Sequence, residues 1–254
     1  MFVPFEGLIN PKTNKYLIEE KNISYIPTAK AFVFLDTEKI KTDRVIVLAK
    51  SKFKGTEFPP EDREILNKKA TNFRSINLNL PFVKNEKNFI ERIFRDKVKV
   101  YFNDKATYNN FVKIKGVRYL HIATHGKFNP SAENPLNQFY LVLDKPVYPR
   151  DVLNMNLKGT DLVFLSACET GKVKDVKHLT FSGMIEAFYI AGAKDVIITL
   201  WQISDKETPE LVREFYKNLK AGMDIKEALR KAKIKFIKEN KNPYYWMPFL
   251  LYGL

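Results

Sequence analysis

The 254-residue chain contains one cysteine, Cys168. A lone thiol forms no intramolecular disulfide, and a reducing, cytoplasmic compartment is the simplest expectation. No apolar run reaches the ~18 residues that cross a bilayer. Met1 to Glu6 lacks the basic stretch and apolar core of a secretory signal. No Gly-rich phosphate-binding loop occurs, which argues against nucleotide hydrolysis. Acidic residues are outnumbered, 29 against 43 basic, for a net charge of +14. The excess is mostly Lys, spread along the chain and accompanied by Glu and Asp on the predicted helices. That pattern describes a solvated basic surface better than a nucleic-acid interface, where basic residues cluster among aromatics.

What is present is the composition of a globular protein: 45% hydrophobic, 13% aromatic and 28% charged residues. Strand and helix patterns alternate. Strands are expected at Arg44 to Ala49, Val98 to Tyr101, Arg118 to Thr124, Leu162 to Ala167 and Asp195 to Leu200. Helices are expected after Pro59 and Pro60 through Ala70, around Asn88 to Phe94, and over Phe181 to Ala191, closed by Gly192. Asp104 is expected to cap a helix carrying Tyr108, Phe111 and Val112. Ser204 with Glu207 and Asp224 with Glu227 form capping boxes for two more. Asn242 and Pro243 break the last helix, and Tyr244 to Tyr252 reads as an extended edge segment containing Pro248. The alternation predicts an α/β fold with a mainly parallel central sheet flanked by helices, in one domain over 1–254. Residues 50–96 read as an irregular elaboration of that domain.

Two strand patterns end in chemistry. Tyr119 to Thr124 runs into His125 and Gly126, and Asp161 to Ala167 runs into Cys168, Glu169, Thr170 and Gly171. Strand C-terminal ends are where α/β folds place their sites. An imidazole can take the proton of a neighbouring thiol, because the thiolate is the nucleophile. Backbone N–H groups at Gly126 and Cys168 could hold a developing oxyanion. On residue type alone Cys168 reads as a small buried hydrophobe; its place at a strand end, matched by His125 and Gly126, makes a nucleophile an equal reading. His121 and His125 are four apart, which on a strand is ~13 Å, too far to share a metal. His121 therefore reads as a core residue and His178 as a solvated loop residue. Ser166 has no Gly-x-Ser-x-Gly elbow around it.

The stretches His121-Ile122-Ala123-Thr124-His125-Gly126 and Leu165-Ser166-Ala167-Cys168-Glu169-Thr170-Gly171 resemble the two signature motifs of CHAT domains, caspase-like domains related to separase. Further stretches resemble the same family in the same order. These are Pro4 to Leu8, Tyr16 to Glu19, Ile23 to Pro27, Ala187 to Val196, Leu200 to Asp205 and Tyr245 to Phe249. The resemblance implies a caspase-hemoglobinase-like three-layer sandwich. It implies a cysteine endopeptidase with a dyad of His125 as base and Cys168 as nucleophile, acting on a protein or peptide substrate. No metal or organic cofactor is implied. By analogy with separase-like relatives, Asp205 is the candidate to hold a basic P1 side chain, with Glu169 and Asp144 as weaker ones. Asp205 fits equally a cap of the following helix. The chain starts almost inside the family's first motif, so a missing first strand is expected. Many members carry tetratricopeptide repeats upstream, and the resemblance implies an upstream tetratricopeptide or other regulatory partner. A non-catalytic interaction module is the alternative function.

Overall fold

A computed structural model describes residues 4–26, 42–64, 78–129, 132, 134–167, 182–201 and 207–253. In chain order its elements are β1 (Ile9–Asn10), β2 (Lys15–Tyr16), α1 (Leu17–Glu20), β3 (Val45–Ala49), α2 (Val83–Phe94), β4 (Val98–Phe102), α3 (Tyr108–Val112), β5 (Tyr119–Ala123), β6 (Gly126–Phe128), β7 (Phe139–Val142), β8 (Pro146–Val147), α4 (Pro149–Leu153), β9 (Thr160–Ser166), α5 (Ser182–Ile190), β10 (Ala193–Thr199), α6 (Thr208–Lys220), α7 (Ile225–Lys238) and β11 (Phe249–Tyr252). Residues 60–64 are also helical.

Six strands form the central sheet in the order β11-β10-β9-β5-β3-β4. Every neighbouring pair is parallel except β10 with β11. Parallel strands are covered on both faces, so they read as continuous apolar runs. The all-buried Val45–Ala49 and Tyr119–Ala123 strands show this directly. On one face, Leu48, Leu120, Ile122, Val163 and Leu165 meet Phe111, Val152, Met184 and Phe188 of α3, α4 and α5. On the other, Val47, Leu162 and Phe164 meet Ile90, Leu211, Phe215 and Phe236 of α2, α6 and α7. The result is the expected three-layer α/β sandwich with a mostly parallel sheet. No helix among the described residues is long and apolar enough to cross a membrane.

Several local expectations shift. Asp104 lies in a 3-10 turn at Asn103–Lys105, and Ala106, at φ −80° and ψ 73°, leaves helical space. The helix restarts after it, and Thr107 is the cap, accepting the Asn110 N–H at 3.2 Å. Asp224 does cap its helix, accepting the Glu227 N–H at 2.8 Å. Ser204 lies outside the described residues; the helix beyond it begins at Thr208. Gly192 ends α5 at φ +106°, and a Cβ there would stand 2.6 Å from the Lys158 backbone nitrogen. Of Tyr244 to Tyr252, only the last four residues are a strand. Pro243–Tyr245 is a 3-10 turn, and Pro248 precedes the edge strand β11.

The N-terminal segment covers part of that edge. Tyr25 donates its N–H to the Leu251 carbonyl at 2.8 Å, and its own carbonyl accepts from Gly253 at 3.0 Å. Glu6, 1% exposed, pairs with the wholly buried Lys233 of α7 at 3.1 Å and accepts the Tyr25 phenol at 2.5 Å.

Candidate active site

The last residue pair shared by β5 and β9 is Ala123 with Ser166. The chains then leave the sheet side by side, with Thr124 donating its N–H to the Ser166 carbonyl at 3.4 Å. Cys168 follows directly on Ala167, and both it and Glu169 lie outside the described residues. So do Asp205 and His178.

Gly126 lies close against the segment that leaves β9. A Cβ there would sit 3.0 Å from the Ala167 carbonyl oxygen and 2.9 Å from the Phe139 ring. Only glycine lets the backbones come this near. Gly126 opposes Leu141 in the small antiparallel sheet β6-β7-β8. The His125 carbonyl accepts the Val142 N–H at 2.9 Å. That bond makes Gly126 and Leu141 a non-hydrogen-bonded pair, so the Gly126 N–H points away from β7. It is thereby left for a group outside the ladder.

His125 is 4% exposed. Its ring packs against Phe53, 4.5 Å between centroids, and Phe58, 6.1 Å. Nε2 lies 2.6 Å from the Leu78 carbonyl oxygen. A carbonyl only accepts, so Nε2 carries the hydrogen and Nδ1 is left with the lone pair. Burial pushes the imidazole down to about 4; the Leu78 carbonyl opposes that shift and Lys127 adds to it. The ring is therefore neutral at pH 7, in the tautomer that leaves the lone pair on Nδ1.

The surroundings of His125 come from the loop after β3. Phe53 donates its N–H to Asn79 Oδ1 at 3.1 Å, and Leu80 donates to the Ser51 carbonyl at 2.9 Å. Lys50 and Glu57 form a buried ion pair at 3.5 Å, with the Lys50 ammonium 5.4 Å from the centre of the Phe53 ring. None of Phe53, Phe58 or Leu78 was marked by a sequence motif. Leu78 acts through its carbonyl, which every residue has. Asp144 accepts the Tyr108 N–H at 2.5 Å, at the start of α3. Its carboxylate is thus bound to a helix terminus.

A family model described as CHAT domain matches residues 1–254. Among solved structures, the fold is similar to the Arg-specific cysteine proteinase gingipain R, with a TM-score of 0.53 and 9% identity over 88% of this chain and 50% of that one. The Porphyromonas gingivalis RgpB complex of pro- and mature domains gives a TM-score of 0.51 and 9% identity, covering 88% of this chain and 51% of that one. The separase of the Saccharomyces cerevisiae separase–securin complex gives 0.51 and 13%, covering 96% of this chain and 14% of that one. The chain thus spans about half of the gingipain chains and a small part of separase. At these identities the likeness establishes the caspase-like cysteine-peptidase fold. No curated protein matches the sequence.

Proposed function

Because the chain belongs to the CHAT domain family, we propose that it is a cysteine endopeptidase in which Cys168 is the nucleophile and His125 the general base. The observation that carries this is the placement of His125. Its Nε2–H is held by the Leu78 carbonyl, and its strand end lies beside the strand end that leads into the lone cysteine. Nδ1 takes the Cys168 proton, and the thiolate attacks the substrate carbonyl carbon. The oxyanion that forms accepts hydrogen bonds from the N–H groups of Gly126 and Cys168. The imidazolium then protonates the leaving amine, the C–N bond breaks, and a thioester remains on Cys168. Water, deprotonated by His125, attacks the thioester and releases the carboxylic acid and the thiol.

The substrate is a protein or peptide chain, cut after a basic P1 residue held by Asp205, with Glu169 a weaker candidate for the same role. Gingipain R, a fold neighbour, is Arg specific. Asp144 is the weakest of the three candidates, since its carboxylate already holds the Tyr108 N–H. A peptide library varied at P1 tests the whole reading, run beside Cys168→Ala, His125→Ala and Asp205→Ala. Cleavage after Arg or Lys is expected from the unmutated protein and none from the first two variants. Asp205→Ala should lose the basic preference. Equal cleavage by all proteins rejects the dyad, and a leucine preference rejects the P1 assignment. No cleavage by any of them favours a non-catalytic interaction module.

A further inference from the structure

His121 has no part in the chemistry above, yet it is wholly buried and holds polar groups on two helices. Nε2 lies 3.2 Å from Glu86 Oε2 of α2, and Nδ1 lies 3.2 Å from the Tyr216 hydroxyl of α6. Phe164 of β9 packs on the ring at 5.1 Å. Glu86 is 3% exposed and Tyr216 is fully buried. Burial pushes the Tyr216 phenol well up, so it remains a neutral hydroxyl.

Otherwise α2 meets the sheet through Val83, Ile90 and Phe94, spaced as one apolar face. Apolar contacts are non-directional, so a helix can slide by a fraction of a turn and still bury its face. A buried carboxylate cannot slide, because moving it one residue, ~1.5 Å along the axis, leaves it without its partner. Buried polar pairs are well suited to fixing register for this reason.

Register matters here because of what precedes α2. Glu86 is in the helix's first turn, and the chain just before it carries Leu78. Residues 78–86 are therefore joined to the β5 segment at two rungs. One is Leu78 with His125, and the other is Glu86 with His121. We propose that Glu86 and His121 are positioning residues of the peptidase site: they fix α2 along the sheet and so set where the Leu78 carbonyl meets His125. The inference rests on the reading of His125 as the base.

The test compares Glu86→Leu with Glu86→Gln. The leucine variant has nearly the same volume and no acceptor. The glutamine variant keeps a carbonyl that can accept the His121 Nε2–H. Two quantities are read: kcat and KM on the cleaved peptide, and the tautomer of His125 in long-range 15N–1H spectra. The chain has only three histidines, so the His125 signals are assigned by their loss in His125→Gln. Glu86→Leu is expected to stay folded and lose about 10- to 100-fold in kcat, the scale of a misplacement near 1 Å, with KM within about twofold. Its His125 should become a mixture of tautomers. Glu86→Gln should restore both. Ile90→Val, on the same helix face, should lower the melting temperature and change neither.

A folded Glu86→Leu variant with unmutated kcat and a pure Nε2–H tautomer overturns the proposal. If Glu86→Leu fails to fold, Tyr216→Phe deletes a single oxygen from the same network. It should show a smaller change in the same direction, and no change in tautomer or kcat again overturns the proposal. If the unmutated protein shows no hydrolysis dependent on His125 and Cys168, the peptidase reading fails. The tautomer comparison still decides the positioning claim.

Discussion

The two faces of the central sheet are covered by different kinds of layer. The layer of α3, α4 and α5 packs aliphatic and aromatic side chains such as Leu120, Val163, Met184 and Phe188. The layer of α2, α6 and α7 has an apolar core of similar make-up, and it also buries His121 with Glu86 and Lys233 with Glu6. A dry layer is held by area and shape, which tolerate small shifts. A layer crossed by buried polar pairs is held at fixed points. The fixed points lie on the face whose helix α2 leads out of the His125 cradle, and they tie the N-terminal segment to α7.

The largest expected effects separate these two roles. Phe188→Ala, in the dry layer at 0% exposure, should cost about 3–5 kcal/mol through lost burial and the cavity left behind. Lys233→Ala should cost about as much, 3–5 kcal/mol, because it leaves Glu6 buried without its partner. Replacing both members, Lys233→Met with Glu6→Leu, should recover most of that loss, since the pair's attraction is offset by its desolvation. Denaturant midpoints at unchanged slope measure all three. A double variant as unstable as Lys233→Ala would show that the pair is a net source of stability, and the contrast between the layers would collapse.

Much of this architecture was legible in the sequence because the strands are buried on both sides. Val45–Ala49 is a continuous apolar run, Tyr119–Ala123 is broken only by His121, and Val196, Ile197 and Ile198 carry the apolar centre of β10. His125 was legible as a histidine at a strand end before a glycine. The cradle around it was not. Leu78 contributes a main-chain carbonyl, and Phe53 reads as an ordinary aromatic until the loop after β3 brings it onto the imidazole. Asp104 was misread as a cap because Asp is favoured both at caps and in turns; the conformation of Ala106 decided between them. His121 was read as a core residue, and it is one, but its two helix-borne partners are 35 and 95 residues away in sequence.

A smaller effect contrasts the two ends of the strands. His125, at the C-terminal end of β5, is pushed down to about 4 by burial. Asp195, near the N-terminal end of β10, is pushed up to about 7, also by burial, with Asp161 adding and Lys226 opposing. For His125 the unfolded chain takes up its proton near pH 6.5 and the folded one near 4. Stability is therefore lost as pH falls through that window, by about 3 kcal/mol. For Asp195 the sign is opposite. The folded state holds a proton that the unfolded chain releases near 3.8, so stability is lost as pH rises from there through 7. The two slopes oppose each other between about pH 4 and 6.5. His125→Asn should make stability fall more steeply with rising pH in that range, and Asp195→Asn should make it rise more steeply. Urea midpoints taken at half-unit pH steps would show it; parallel curves for all three proteins would mean that neither group is desolvated.

The smallest effect should be blind to the layer. Thr107 caps α3 in the dry layer and Asp224 caps α7 in the pinned one. A cap satisfies one local N–H and does not depend on what the helix packs against. Thr107→Ala and Asp224→Ala should each cost about 1 kcal/mol by urea midpoint. If Asp224→Ala costs several times more, the helix terminus is coupled to the buried pair at Lys233 on the same helix. The pinned layer would then behave as one cooperative unit, with its fixed points shared between helix ends and core.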